Sequence, residues 1–454
     1  MLWAARKTHL RFIAGALPHA EAPVYVIGNP SADLDSMICA LVYSYFANRS
    51  SRCHIPLINI PQVPSGPELC RLRPEFVKAF WISTNSGDPT SEPAGSLLQN
   101  HILTVADFAE HLKQRGIDCD PGPHRRYAAD AVLVDWNALP IPSSDGQKGK
   151  GSLDGLPMVE FTVVGCIDHH VDEGFLGPDI KPLVIEKAGS CSSLVVNTLN
   201  TMGLWTPSDT EDRFPEEEPV ARLALAPLLI DTVNMNAKDK VTVIDTEAWE
   251  FLRRILDSAP SAWDRDAYYR QIHETKSNSL DLLTVDEMLD RDYKQWTESP
   301  PSRAEKPLNI GFCSMVKPVS WIVQKAGNPQ AFLDALCGFS ARRELDIVVV
   351  MTAFSSPMRN GAFVRELLVC ALQEGPAVDA LKDLATRSAS QLDLQEWTAL
   401  DSADADDQAP AIRSVLDSDQ FPWRRIWVQG DVTKSRKQVA PLVRQAVASP
   451  AEKL

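Results

Sequence analysis

The chain is predicted to be α/β, with an N-terminal domain built on a mostly parallel sheet with helices on both faces and a smaller C-terminal α/β domain. Three observations predict this. A length of 454 residues is more than one ordinary core takes up. Apolar, β-branched runs alternate with helix-compatible stretches through the first half. Several of those runs end abruptly on acidic or imidazole side chains, and in an open parallel sheet ligands collect at the carboxyl ends of strands.

In chain order, residues 1–20 carry Arg6, Lys7 and Arg11 and no acid before Glu21. Such a segment faintly resembles a mitochondrial presequence, but an amphipathic helix with Leu10, Phe12, Ile13 and Leu17 on one side is the favoured reading. Val24–Ile27 is a strand that leads into Gly28-Asn29-Pro30-Ser31-Ala32-Asp33-Leu34-Asp35-Ser36, and Ser36–Phe46 is helical. Ala131–Val134 leads into Asp135, Val163–Ile167 into Asp168-His169-His170, and Pro227–Ile230 into Asp231; each is expected as a strand. Gly189–Ser193 opens a helix whose free N–H groups could hold an anion or simply be capped. Polar stretches at 85–95, 140–157 and 207–219 are expected as surface insertions. The break at Ser258–Trp263 marks the division: a catalytic domain over 1–257, a linker over 258–275 and a second domain over 276–454. Beyond it, Leu280–Trp296 is expected as a helix, Leu308–Phe312 and Ile347–Val350 as strands, Asp401–Asp407 as an exposed loop and Ser435–Val447 as a terminal helix.

The bulk properties bound the function. Net charge is −15, so nucleic acid and anionic lipid are not expected partners. No apolar run reaches the length of a membrane span. Nine scattered cysteines without a CxxC pair suit a reducing compartment. A cytoplasmic protein is expected, with a mitochondrial address as the alternative, and a monomer.

Asp33 and Asp35, two apart just past a strand end, can each offer a carboxylate to a different cation. Asp135 is placed to bridge the two, His169 adds an imidazole and Asp231 a further carboxylate. Carboxylates with one imidazole suit Mn²⁺ or Mg²⁺ rather than a thiolate-preferring ion. Two such cations about 3.5–4 Å apart would activate a water for in-line displacement at phosphorus.

These four motifs, in this order, resemble the DHH phosphoesterases, named for the triplet present here as Asp168-His169-His170. Within them the chain is similar over nearly its whole length to the eukaryotic cytosolic exopolyphosphatases, relatives of the manganese-dependent inorganic pyrophosphatases and of prune. The resemblance implies a DHH domain followed by a DHHA2-type accessory domain. It carries over Asp33, Asp35, Asp135, His169 and Asp231 as ligands of two divalent cations, Mg²⁺ or Mn²⁺, with Asp135, His169 and His170 catalytic. It implies His170 facing the substrate phosphoryl group, Arg436 and Lys437 clamping it from the second domain, and Lys276 as a further phosphate contact. Asp168 is expected to orient its histidine neighbours. Asn29, counted among the substrate-binding residues, stands where the pyrophosphatases have a metal-binding histidine. That change leaves a harder site in which Mg²⁺ becomes workable, and with the intact triplet it points to exopolyphosphatase.

The implied substrate is linear inorganic polyphosphate, cut from its end to release orthophosphate. With an acidic surface, positive charge must then be focused at one cleft, for which Lys276, Arg303, Lys306, Lys317, Arg342 and Arg343 are candidates. The rival readings are a prune-like phosphodiesterase, an inorganic pyrophosphatase and an inactive scaffold. The phosphodiesterase would need a stacking platform, for which Trp136 is the one tempting aromatic, although core packing is expected of it.

Overall fold

The computed structural model describes residues 2–18, 21–49, 52–84, 94–117, 127–206, 216–257, 263–300, 306–356, 359–398, 405–419 and 423–448. The expected boundary at 258–262, most of the insertions at 85–95 and 207–219, Arg303 and the start of the acidic stretch at 401–404 lie outside the described residues. The chain divides into two compact units, Met1–Leu282 and Leu283–Leu454.

The first unit runs α1 (Leu2–Ile13), β1 (Val24–Ile27), α2 (Leu34–Ala47), β2 (His54–Ile58), α3 (Pro67–Leu72), α4 (Pro74–Thr84), α5 (Ala94–His101), β3 (Leu103–Thr104), α6 (Val105–Lys113) and β4 (Tyr127–Val134). It continues with β5 (Ile141–Pro142), β6 (Lys150–Leu153), β7 (Leu156–Asp168), β8 (Leu183–Ile185), α7 (Cys191–Thr201), α8 (Glu217–Asp231), α9 (Val243–Asp257) and α10 (Arg265–Asn278). Its sheet has the order β3-β2-β1-β4-β7-β6-β5, with β8 beside β7. Strands β1, β2, β3, β4, β7 and β8 pair in parallel, and the β5–β6 and β6–β7 pairings at one edge are antiparallel.

Side chains alternate across each strand. Val24, Val26, Val132 and Val134 face one core with α2 and α7–α9, while Tyr25, Ile27, Ala131 and Leu133 face a second with α1 and α6. The sheet is therefore covered on both faces, as parallel sheets require. Helix α1 buries Ala5, His9 and Ile13 at i, i+4 and i+8, with Leu10 exposed, so its inward face differs from the one expected.

Three expectations need correction here. Pro227–Ile230 is not a strand but the end of helix α8. The run Ala221–Leu229 is buried on all sides, and such a helix cannot be told from a buried strand by periodicity. The stretch 140–157 is not a loose insertion: it supplies β5 and β6 to the sheet edge. Nor is 258–275 a linker throughout, since α10 buries Tyr268 and Ile272 in the same core as α8.

The second unit runs α11 (Val285–Arg291), β9 (Tyr293–Glu298), β10 (Leu308–Met315), α12 (Val319–Ala326), α13 (Pro329–Arg342), β11 (Ile347–Ser356), β12 (Ala362–Ala371), α14 (Pro376–Arg387), α15 (Ala389–Leu392), β13 (Leu394–Glu396), α16 (Ala405–Leu416), β14 (Arg424–Gln429) and α17 (Arg436–Ala448). Its sheet order is β13-β14-β12-β11-β10-β9, with only β10 and β11 parallel. Leu280–Trp296 is not one helix, because its last residues form β9 against β10. The alternating Tyr293-Lys-Gln-Trp296-Thr-Glu pattern suits a half-buried strand. Among the described residues no helix is long and apolar enough to cross a membrane.

Candidate metal centre

The strand order reverses at β1: β2 and β3 lie to one side, β4 and β7 to the other. Such a reversal opens a crevice at the carboxyl ends of the central strands. Register aligns Ile27 with Leu133 and Val134 with Ile167, so the β1, β4 and β7 ends stand side by side. Asn29 and Asp135 follow the ends of β1 and β4 and Asp168 is the last residue of β7, with Asp135 in the middle.

Asp135 adopts a left-handed backbone at φ 63°, costly for a non-glycine residue, as does Ala32 at φ 42° in the preceding loop. The strain is held by hydrogen bonds. The backbone N–H of Asp135 donates to Ile167 O at 3.0 Å. Its Oδ2 accepts from Asn29 Nδ2 at 2.6 Å and from Ser36 Oγ at 2.6 Å. Gly28 lets α2 approach this closely, because a Cβ there would lie 2.7 Å from Ser36 Cβ. Arg73, buried between α3 and α4, donates Nε to Ala32 O at 2.8 Å and Nη2 to Ser31 O at 2.6 Å, gripping the loop from behind.

Asp135, His169 and His170 bring ligand atoms within 4.8 Å of one another, the one such group among the described residues. His169 Nδ1 lies 3.1 Å from Ala188 O, and a carbonyl only accepts, so this nitrogen carries the proton. In the neutral ring Nε2 then presents its lone pair 3.2 Å from Asp135 Oδ1, a buried oxygen with no hydrogen-bond partner. Two lone-pair atoms so placed fit a cation between them. Ligands at about 2.1 Å and right angles around one ion stand about 3 Å apart. His170 is held differently: its Nδ1 and backbone N–H both meet Asp168 Oδ1, at 2.8 and 3.1 Å. Asn137 Nδ2 donates to the other oxygen of Asp168 at 2.6 Å. Asp168 therefore orients His170, whereas His169 is oriented by the Ala188 carbonyl.

Asp33 caps α2, accepting from Ser36 N at 3.0 Å. Burial, then the charges of Asp135 and Asp231, push its carboxyl up to about 6, against the Ser36 hydrogen bond and the Lys276 charge. Asp35 is likewise raised by burial and by Asp135, Asp231 and Asp33. Burial raises the Asp135 carboxyl too, but where His169 and His170 carry positive charge in the metal-free site, they and the Ser36 hydroxyl outweigh it and hold it below the usual range. Carboxylates gathered until they repel one another are the expected ligand set of a hard divalent cation, and the residues present fit one.

Not every expected residue is open to a ligand in the way foreseen. Asp35 receives Cys191 N at 2.7 Å, Ser192 N at 3.0 Å and Cys39 Sγ at 3.2 Å. The α7 N-terminus is thus capped by a carboxylate of the protein, which settles its open reading in favour of a cap. Asn29 is 2 % exposed and its amide is engaged by Asp135 and Ser31, so it buttresses Asp135. Asp231 ends α8 rather than a strand, close enough for its charge to reach Asp33 and Asp35. Lys276, on α10, reaches Asp33 in the same sense. Trp136 is buried and donates Nε1 to Ile27 O at 3.0 Å, so it is a core residue.

In the second unit, Arg436 and Lys437 open α17. Arg436 pairs with Asp292 Oδ1 at 2.8 Å and donates to Ser314 Oγ at 3.1 Å, while Lys437 is exposed. Arg342 and Arg343 pair with Asp286 and Asp290, and Lys317 lies over the Trp321 ring, which weakens the expectation of a free basic lining there. Ser36, Arg73 and Asn137 escaped the sequence reading of the site. Ser36 and Asn137 sit inside the quoted motifs and could have been found, but nothing local marks Arg73.

The DHHA2 domain matches residues 270–446. A Schizosaccharomyces pombe protein described as a candidate exopolyphosphatase is 27% identical over 97% of this chain and 95% of its own length. Exopolyphosphatase PRUNE1 of Rattus norvegicus is 24% identical over 97% of this chain and 79% of its own. A crystal structure from Methanococcus jannaschii, described as a candidate family II inorganic pyrophosphatase, has 16% identity and a TM-score of 0.47, covering 93% of this chain and 99% of that one. With the Asp-x-Asp loop, Asp135 and the Asp-His-His triplet in place at the sheet's switch point, the chain carries a DHHA2 domain and is similar along nearly its whole length to exopolyphosphatase- and prune-like proteins.

Proposed function

We propose that this chain is a metal-dependent exopolyphosphatase that removes terminal phosphate from linear polyphosphate. The observation that carries the reading is the buried Asp135 Oδ1 turned toward the Nε2 lone pair of His169 at 3.2 Å. Asp33, Asp35, Asp135, His169 and Asp231 would hold two divalent ions, Mg²⁺ or Mn²⁺. When bound, such a pair lowers the pKa of a shared water and neutralises charge developing at phosphorus.

The protein's own part is placement and charge. Asn29 and Ser36 hold one oxygen of Asp135, leaving the other toward His169. Asp168 holds the Nδ1 of His170 at 2.8 Å, and His170 is proposed to meet a phosphoryl oxygen through Nε2. Lys276 brings positive charge to the Asp33 side of an otherwise acidic site. Arg436 and Lys437 are proposed as contacts of the substrate's terminal phosphoryl group, with Arg436 exchanging its Asp292 partner for substrate. Sequence similarity to exopolyphosphatases along the whole chain supports the polymer as substrate.

The test is phosphate release from long-chain polyphosphate, triphosphate and pyrophosphate with Mg²⁺ and with Mn²⁺, beside nitrophenol release from a bis-ester. Fastest release from polyphosphate is expected. Preference for pyrophosphate or for the ester would replace the reading by one of its rivals, and metal binding without turnover would indicate a scaffold.

A further inference from the structure

One short segment, 188–193, touches the candidate metal centre twice. At its start the Ala188 carbonyl sets the tautomer and direction of His169 at 3.1 Å. Further on, Cys191 N and Ser192 N hold the two oxygens of Asp35 at 2.7 and 3.0 Å. An imidazole and a carboxylate from distant parts of the chain are thereby aimed by a single strap.

What fastens the strap is Asp245 of α9, fully buried. Its Oδ2 accepts from Gly189 N at 2.9 Å, Thr242 N at 2.7 Å and Thr242 Oγ1 at 2.8 Å. Its Oδ1 accepts from Ser190 N at 3.3 Å and Ser193 Oγ at 2.7 Å. The fit is close: a Cβ on Gly189 would lie 2.9 Å from Asp245 Oδ2 and 2.8 Å from Thr232 Cγ2. An ionised carboxylate has about four acceptor sites, and Asp245 uses them all on this strap and its own helix start. It has no capacity left to bind a metal itself.

We propose that Asp245 is a positioning residue of the metal centre, acting through the 188–193 strap on His169 and Asp35 together. The proposal rests on the metal-binding reading above. Groups that orient metal ligands from behind typically set metal affinity by 10–100-fold, because they fix the direction in which each lone pair points.

Asp245→Asn keeps the shape but turns an amide N–H₂ against donors, loosening the strap. Calorimetric titration of the full chain with Mn²⁺, below the melting temperature of each variant, is expected to show about 10-fold weaker binding or worse. Phe251→Leu, a core change on the same helix, should lower Tm while leaving Mn²⁺ affinity unchanged, which a purely structural role for Asp245 would not separate. Ser193→Ala removes one of the five bonds and should weaken Mn²⁺ binding in the same direction; it stands in if Asp245→Asn does not fold. Folded Asp245→Asn, or Ser193→Ala in its place, with Mn²⁺ affinity within about twofold of wild type would overturn the proposal alone. A wild-type chain that binds no Mn²⁺ would overturn the metal reading, and this proposal with it.

Discussion

Asn29 donates its side-chain amide to Asp135 Oδ2 at 2.6 Å, across 106 residues of chain. The bond ties the loop after β1 to the end of β4 and turns the other Asp135 oxygen toward His169. An imidazole at position 29 could not repeat it in the same way: it would bring a nitrogen ligand instead. Asn29→His is therefore expected to shift activity and binding from Mg²⁺ toward Mn²⁺ and Co²⁺. Activity across the three metals, wild type against variant, checks this, and an unchanged ranking refutes it.

Asp135 sits at the centre of the site, and its removal leaves His169 without its partner. Asp135→Ala should lower the rate of phosphate release by at least about 10²-fold, the usual effect of losing one electrostatic stabiliser. Circular dichroism would establish that the variant is folded. A fully active Asp135→Ala would contradict the assignment.

Arg73 holds the backbone carbonyls of Ser31 and Ala32, immediately before Asp33. Arg73→Met would leave those buried acceptors without their guanidinium donor, at about 1–3 kcal/mol. Urea melts should show that loss, accompanied by a higher Mn²⁺ requirement for activity, because the loop carrying Asp33 would be less constrained. Restored stability in Arg73→Met would mean the clamp is dispensable.

Acid sensitivity should centre on the far face of the sheet. His9, buried in α1, meets Tyr25 Oη at 2.8 Å through Nδ1 and His111 Nδ1 at 3.2 Å through Nε2. Burial first, then the charges of His111 and Arg6, hold the His9 pKa well below 6.5, and burial lowers His111 as well. The unfolded chain thus binds more protons than the native one below pH 6.5, so stability is present above that value and falls as pH drops through it. Melting temperature between pH 7.5 and pH 5.5 should decline in wild type and decline less in His9→Asn. Equal slopes would exclude His9 as the source.

The sequence by itself determined the strand–loop–helix around Asp33, the strand ends carrying Asp135 and Asp168, and the covering of the parallel sheet on both faces. All of these follow from local runs of apolar residues and from which residue type comes next, which are properties of a few neighbouring positions. Only the tertiary structure decided that Asp231 ends a helix, that Asp35 caps α7 rather than leaving that N-terminus to a phosphate, and that Asn29 buttresses Asp135. It also decided that the Ala188 carbonyl orients His169, while Asp168 serves His170. Each of these is a hydrogen bond or a burial set by partners far away in the chain, on which short-range periodicity carries no information. The same holds for Arg73 and Asp245, whose surroundings form only once the helices close over the sheet.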